Sequence, residues 1–264
     1  MLDRLMRRTA QWKALIAVLL TFSVWLFILA WSRASISLLL AVVLLEAFIV
    51  CMLSLKMLQR AQQALAGWNR RIDETLDPQG LQDALAKEPA LAETLEGRNL
   101  LSLAARLAGR PMEGCDQNAQ ALQLHPRAPQ QVILYYNRAW LLLEAGRTKE
   151  GEASLQQAKR IWNDLPARTR SRISVPFAHL EWELADRKGT GTADAYIACL
   201  EDALLSEPMT LCSRMLIRKR LAVLYHAQGD DQRAYEQLAW LDRFASRTAL
   251  PKQARAILEG EATR

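Results

Sequence analysis

Cysteine and histidine are both scarce: four and three residues in a chain of 264. Cys51, Cys115, Cys199 and Cys212 lie far apart with no C-x-x-C pair, which excludes a dithiol redox motif and a zinc ribbon. Scattered free thiols of this kind suit a reducing compartment. His125, His179 and His226 stand alone, without an H-E-x-x-H motif or a carboxylate at metal-ligand spacing. The Gly-x-Gly at Gly189–Gly191 is not followed by Lys-Ser/Thr and follows no strand pattern, so it reads as a turn rather than a phosphate cradle. Glu181 and Glu183 flank Trp182 two residues apart and would point in different directions from a helix. With no nucleophile set beside a base, the chain reads as non-enzymatic, with no cofactor and no metal.

Negative charge is also scarce at one end. The first 71 residues hold nine Lys or Arg against Asp3 and Glu46, a charge of +7; the whole chain is formally +6, which leaves −1 for residues 72–264. A nucleic-acid binder carries its basic charge on the folded domain. Here it sits at the other end, which argues against DNA or RNA as the ligand.

Long hydrophobic runs are confined to that basic end. Residues 14–32 (ALIAVLLTFSVWLFILAWS) carry no charge, and residues 34–55 are apolar apart from Glu46. Each is close to the roughly 20 residues that cross a bilayer as a helix. Only Arg33 and its small neighbours separate them, so the reading is an antiparallel transmembrane hairpin. A cleaved signal peptide fits poorly: the first run is too long, it ends at Trp31-Ser32-Arg33 without a small-x-small site, and a second span follows at once. Arg4, Arg7, Arg8 and Lys13 precede the hairpin and Lys56, Arg60, Arg70 and Arg71 follow it, whereas the loop offers only Arg33. Positive residues stay inside, which places both termini in the cytoplasm, as expected for a bacterial inner-membrane protein. Folding the hairpin about Arg33–Ala34 brings Thr21 and Ser23 to the depth of Glu46. That carboxyl is either functional or a hydrogen-bonded structural or oligomer contact; the lack of any charged partner in the spans favours the second.

Residues 1–13 thus form a basic N-terminus and 56–94 a helical juxtamembrane linker, in which Asp77-Pro78 ends one helix and starts another. From residue 95 to 264 the pattern is of helix pairs. In the segment from Val132 to Leu165, Tyr135, Ala139 and Leu142 form one stripe, Gly146 marks a turn, and Leu155 and Ala158 form a second stripe. So small a pair cannot bury its own apolar face and needs like neighbours. Glycines at 109, 146, 191 and 229 recur at intervals of 37, 45 and 38. The second helix of a unit ends near Ala121, Ala158 or Ala203, and Pro126 and Pro208 close two units. The insertion 166–176, PARTRSRISVP, carries Arg168, Arg170 and Arg172, and a short capping helix is expected from Pro251.

These units resemble the tetratricopeptide repeat, a helix–turn–helix of about 34 residues. In the segment around Gly146 the matching residues are Tyr135, Ala139, Leu142, Gly146, Leu155 and Ala158, with Gly151 where the family prefers alanine; the unit around Gly229 matches through Leu221, Ala222, Tyr225, Ala234 and Leu238. The first unit matches through Leu101, Ser102, Gly109, Ala121 and Pro126 but has Asn118 at a usually apolar site, and the third matches mainly through Leu200, Ala203 and Pro208. The resemblance implies an all-α fold: a helical-repeat solenoid with about four pairs behind the transmembrane hairpin. It implies a groove lined by first helices, with Asn99, Leu103 and Arg106 from the first unit. The second unit would add Tyr136, Trp140 and Leu143, and the fourth Lys219, Val223 and His226. Family members that hold a carboxylate use Lys, Asn and Arg; Tyr136 and Trp140 depart from that set and imply a mixed aromatic–basic groove.

The expected role is a membrane-anchored adaptor whose cytoplasmic repeats bind a protein or peptide. The alternative is a structural or regulatory subunit of a membrane complex, held through the hairpin and Glu46.

Overall fold

The computed structural model describes residues 76–173, 175–206 and 209–261, with single positions and short stretches between 44 and 74. Thr21, Ser23, Glu46 and residues 14–32 lie outside the described residues. The chain divides into two units, Met1–Gly67 and Trp68–Arg264.

In the first unit every described position from 44 onward is helical, and Leu44, Leu45, Phe48, Met52 and Leu55 are each exposed over half their surface or more. Among the described residues no helix is long and apolar enough to cross a membrane.

The second unit is all-α among the described residues. Its helices are α1 (Pro78–Ala86), α2 (Pro89–Ala92), α3 (Leu95–Leu107), α4 (Pro111–Gln123), α5 (Ala128–Glu144) and α6 (Thr148–Asp164). The single turn α7 (Ala167–Arg170) leads to α8 (Phe177–Arg187), α9 (Ala193–Ser206), α10 (Leu211–Ala227), α11 (Asp231–Phe244) and α12 (Leu250–Leu258). Four hairpins, α3/α4, α5/α6, α8/α9 and α10/α11, pack in chain order. α1 packs on α3 and buries Leu81 and Leu85, so these residues join the folded unit's core.

Helix starts and stops follow local chemistry. Asp77, Thr94, Thr210 and Asp230 accept N–H bonds from residues three further on, satisfying donors that a helix start leaves unpaired. Each hairpin turns on a glycine with positive φ: Gly109 at 76°, Gly146 at 77°, Gly189 at 67° and Gly229 at 80°. The next residue's N–H then reaches back five positions, from Arg110 to Ala105, Arg147 to Leu142, Thr190 to Ala185 and Asp230 to Tyr225. That closes the orphan carbonyls at each helix end. The third turn glycine is therefore Gly189 and not Gly191, because only Gly189 occupies the left-handed position. α9 starts four residues after its turn glycine, whereas α4, α6 and α11 start two after theirs, so the usual spacing back from α9 falls on Gly191.

The fourth residue of each second helix meets its partner closely. A Cβ on Gly114 would come within 2.8 Å of Leu141 Cδ2 and 3.0 Å of the Ser102 carbonyl, and one on Gly151 within 2.8 Å of Leu143 Cδ2. Ala234 fills the equivalent place in α11, fully buried. In α9 the place goes to Tyr196, whose ring is buried and whose hydroxyl reaches α8.

Two first helices are buried on more than one side. Leu141, Leu142 and Leu143 are consecutive and buried in α5, as are Leu221 to Tyr225 in α10. A helix apolar all round is one enclosed by others. α5 packs on α4, α6 and α8, while α10 packs on α9, α11 and α12. The last helix also returns to the first hairpin: the Ala249 N–H donates to the Leu107 carbonyl at 2.7 Å, and a Cβ on Gly109 would meet Gln253 and Ala249.

Candidate functional site

The side chains that the first helices turn inward meet one another. At the end of α3, Arg106 forms a two-pronged bond with Glu144 at the end of α5, Nη2 to Oε1 at 2.7 Å and Nε to Oε2 at 3.1 Å, with 14% and 20% of the two side chains exposed. On α8, Glu183 is nearly sealed from solvent. It accepts from Arg187 Nε at 2.6 Å and from the Tyr196 hydroxyl at 3.1 Å. Arg220 Nε of α10 lies 2.6 Å from the same carboxylate in an ion pair whose N–H is not aligned for a hydrogen bond. Arg220 Nη2 donates to Asp186 at 2.5 Å. Lys219 Nζ donates to Gln253 of α12 at 2.7 Å.

These pairs are electrostatically one group. Burial alone would raise the Glu144 carboxyl, but Arg106, Lys219 and Arg187 outweigh it and hold Glu144 below the ordinary carboxylate range. Burial lowers Lys219, and the charges of Arg106 and Arg220 add to that against Glu144 and Glu183. The Tyr196 hydroxyl is pushed well up, first by burial and then by the Glu183 charge. Four cations (Arg106, Arg187, Lys219, Arg220) face three carboxylates (Glu144, Glu183, Asp186), contributed by all four first helices. The arrangement ties helices together by charge.

Beside it lies an aromatic cluster. Arg106 sits over the Trp140 ring at 5.2 Å. Tyr136 meets Trp140 edge-on at 6.5 Å and Phe177 at 5.9 Å, and Phe177 meets Trp162 at 5.6 Å. Burial pushes the Tyr136 hydroxyl up to about 12, and that hydroxyl donates to the Pro176 carbonyl at 3.3 Å. Both Tyr136 and Trp140 pack on Ala139, Leu143, Leu155 and Leu180.

Of the residues expected to line a groove, Arg106, Tyr136, Trp140 and Lys219 thus share one neighbourhood. Asn99 accepts from Asn137 Nδ2 at 3.1 Å. His226 stands apart, with Nδ1 2.7 Å from Asp231. The sequence pattern does not mark Glu144, Glu183, Asp186, Arg187 or Arg220 as members of a site. The missed signal is the turn glycine. The expected groove residues lie 10, 6 and 3 positions before Gly109, Gly146 and Gly229; the same offsets from Gly189 give His179, Glu183 and Asp186. Anchoring on Gly191 hid them.

Among the described residues no group of three or more His, Cys, Asp or Glu could hold a metal ion. Comparison of the chain with family models, with curated proteins and with solved structures found no match.

Proposed function

We propose that this chain is a membrane-anchored adaptor: a tetratricopeptide-like, non-enzymatic helical domain hung by an N-terminal transmembrane hairpin on the cytoplasmic side of a bacterial inner membrane, where it binds a protein or peptide. The observation that carries the reading is the row of large apolar side chains at 44, 45, 48, 52 and 55, exposed on a helix within the second long apolar run. Water-exposed apolar rows of this size mark a lipid or protein contact. The uncharged run at 14–32 and the basic flanks on both sides support a membrane as that contact. Tethering would raise the effective concentration of the helical domain for partners at the same membrane.

Crosslinking followed by capture tests the adaptor role, using the full-length protein beside a fragment starting at Thr75. The fragment is expected to retain the cytoplasmic partners of the whole protein. Loss of all of them would transfer the binding role to the first unit and favour a subunit of a membrane complex. A reporter placed after Arg33 and another at the C-terminus test the topology; an external C-terminus overturns it.

A further inference from the structure

We propose that the last helix hairpin carries a docking surface for an acidic protein segment, built from Arg214, Arg218 and Arg243 around Trp240 and Phe244. The proposal rests on the adaptor reading and names the chemistry of the ligand.

Four of these side chains form a continuous stack across α10 and α11, with Arg214 beside it. The Arg218 guanidinium lies over the Trp240 ring at 4.6 Å, the Trp240 and Phe244 rings are 4.7 Å apart at 35°, and Arg243 lies over Phe244 at 5.1 Å. Two guanidinium planes therefore bracket an aromatic pair. Arg214, one helical turn before Arg218, adds a third cation; burial and then the Arg214 charge push Arg218 below its usual range.

No carboxylate answers this charge among the described residues. Three acids of α11 and its cap are paired elsewhere, Asp230 with Arg233, Asp231 with His226 and Asp242 with Arg255, and Glu236 accepts from Gln232 at 3.4 Å rather than from any of the three arginines. Arg218 donates from Nη1 to the neutral Gln237 at 2.6 Å, and among the described residues its buried Nε has no hydrogen-bond partner. Elsewhere in the unit, Arg106, Arg187, Arg220 and Arg255 each hold a carboxylate. The surface is also accessible: Arg214 and Arg243 are exposed, Trp240 is half-buried and Phe244 is 41% exposed.

A guanidinium already held by stacking loses little freedom when its fork takes a carboxylate. Asp and Glu side chains supply the acceptors, and an apolar side chain between them covers the Trp240–Phe244 pair. A nucleic-acid chain is a poorer fit, because residues 72–264 carry a formal −1 and supply no net positive charge to hold a long polyanion beyond the patch.

The test uses full-length protein in phosphatidylcholine nanodiscs and the fluorescence anisotropy of a labelled peptide alternating Glu with Phe and Leu. A control peptide has Gln for Glu, and vesicles of phosphatidylcholine with phosphatidylserine report lipid binding. The double variant Arg214→Glu/Arg243→Glu is expected to weaken the acidic peptide about tenfold or more. Phe244→Ser should weaken it as well. Arg168→Glu/Arg172→Glu changes net charge equally at exposed arginines that have no ion pair among the described residues, and should leave binding intact. Absence of acidic-peptide binding by the unmodified protein overturns the proposal, as does an equal loss in both double variants. So does an Arg214/Arg243 effect on vesicles with none on the peptide, which would assign the patch to lipid. Membrane flotation and partner capture by the unmodified protein, scored on native membranes before extraction, fail only if the adaptor reading itself fails.

Discussion

Asn118 is the least comfortable residue in the folded unit. It is fully buried in α4, and among the described residues neither its amide oxygen nor its nitrogen has a hydrogen-bond partner. Replacing it by alanine removes an unsatisfied amide and improves helix propensity at the expense of a small cavity, so Asn118→Ala should stabilise the protein by about 1 kcal/mol. A lower urea midpoint would mean the amide is in fact bonded. Gly151 behaves in the opposite sense. Alanine there would gain about 1 kcal/mol of helix propensity, but its Cβ would strike Leu143 inside the core, where overpacking costs about 1–3 kcal/mol. Gly151→Ala is therefore expected to lower the melting temperature despite the alanine that a tetratricopeptide-like pattern prefers there. Glu183 is the most consequential single side chain. At 3% exposure it faces Arg187, Arg220 and Tyr196, and Glu183→Gln should cost about 3 kcal/mol by leaving buried cations underpaired. Tyr196→Phe, which removes one hydroxyl, should cost about 1 kcal/mol in the same denaturation series.

Elements are joined here by charge as well as by apolar packing, and that makes their union pH-dependent. Burial holds the His179 imidazole below its ordinary 6.5, so the unfolded chain takes the proton first. Stability is then lost as pH falls from 6.5 toward the folded value. Glu144 acts at a lower window: its folded carboxyl is depressed below 4.5, so its contribution is present above that value and disappears as pH falls through the depressed one. Melting temperature against pH should show both losses. His179→Phe should remove the first and Glu144→Gln the second, and a profile unchanged by Glu144→Gln would disconnect it from Arg106. The return of α12 to the first hairpin has its own test. Gly109 and Gly146 share the same φ, but only at Gly109 would a Cβ meet α12 and its cap. Both alanine variants should lose about 1 kcal/mol to left-handed strain; the further loss at Gly109 measures the closing contact.

At the scale of the whole molecule, charge and hydropathy divide the chain as sharply as the fold does. The +7 of the first 71 residues and the exposed apolar row ending at Leu55 belong to one end, while residues 72–264 carry a formal −1 with most of their buried charges in pairs. The full-length protein is therefore expected to stay with membranes through alkaline carbonate extraction, and the fragment from Thr75 to remain in the supernatant. Recovery of the full-length protein in the supernatant would remove the anchor.

Helix pairs, their turn glycines at 109, 146 and 229, the helix start at Pro78 and the short last helix were legible in the sequence, because caps, breakers and apolar spacing act within a few residues. The third hairpin was misaligned because its second helix starts two residues late, a shift that leaves Gly189 and Gly191 equally plausible until backbone dihedrals separate them. Tertiary structure alone decided that Arg106 finds Glu144, that Glu183 lies under Arg220, and that Gln253 reaches Lys219. Each of these contacts joins residues more than 30 positions apart. Spacing along one helix determines which face a side chain occupies. Which charge it meets across that face depends on how the helices stack.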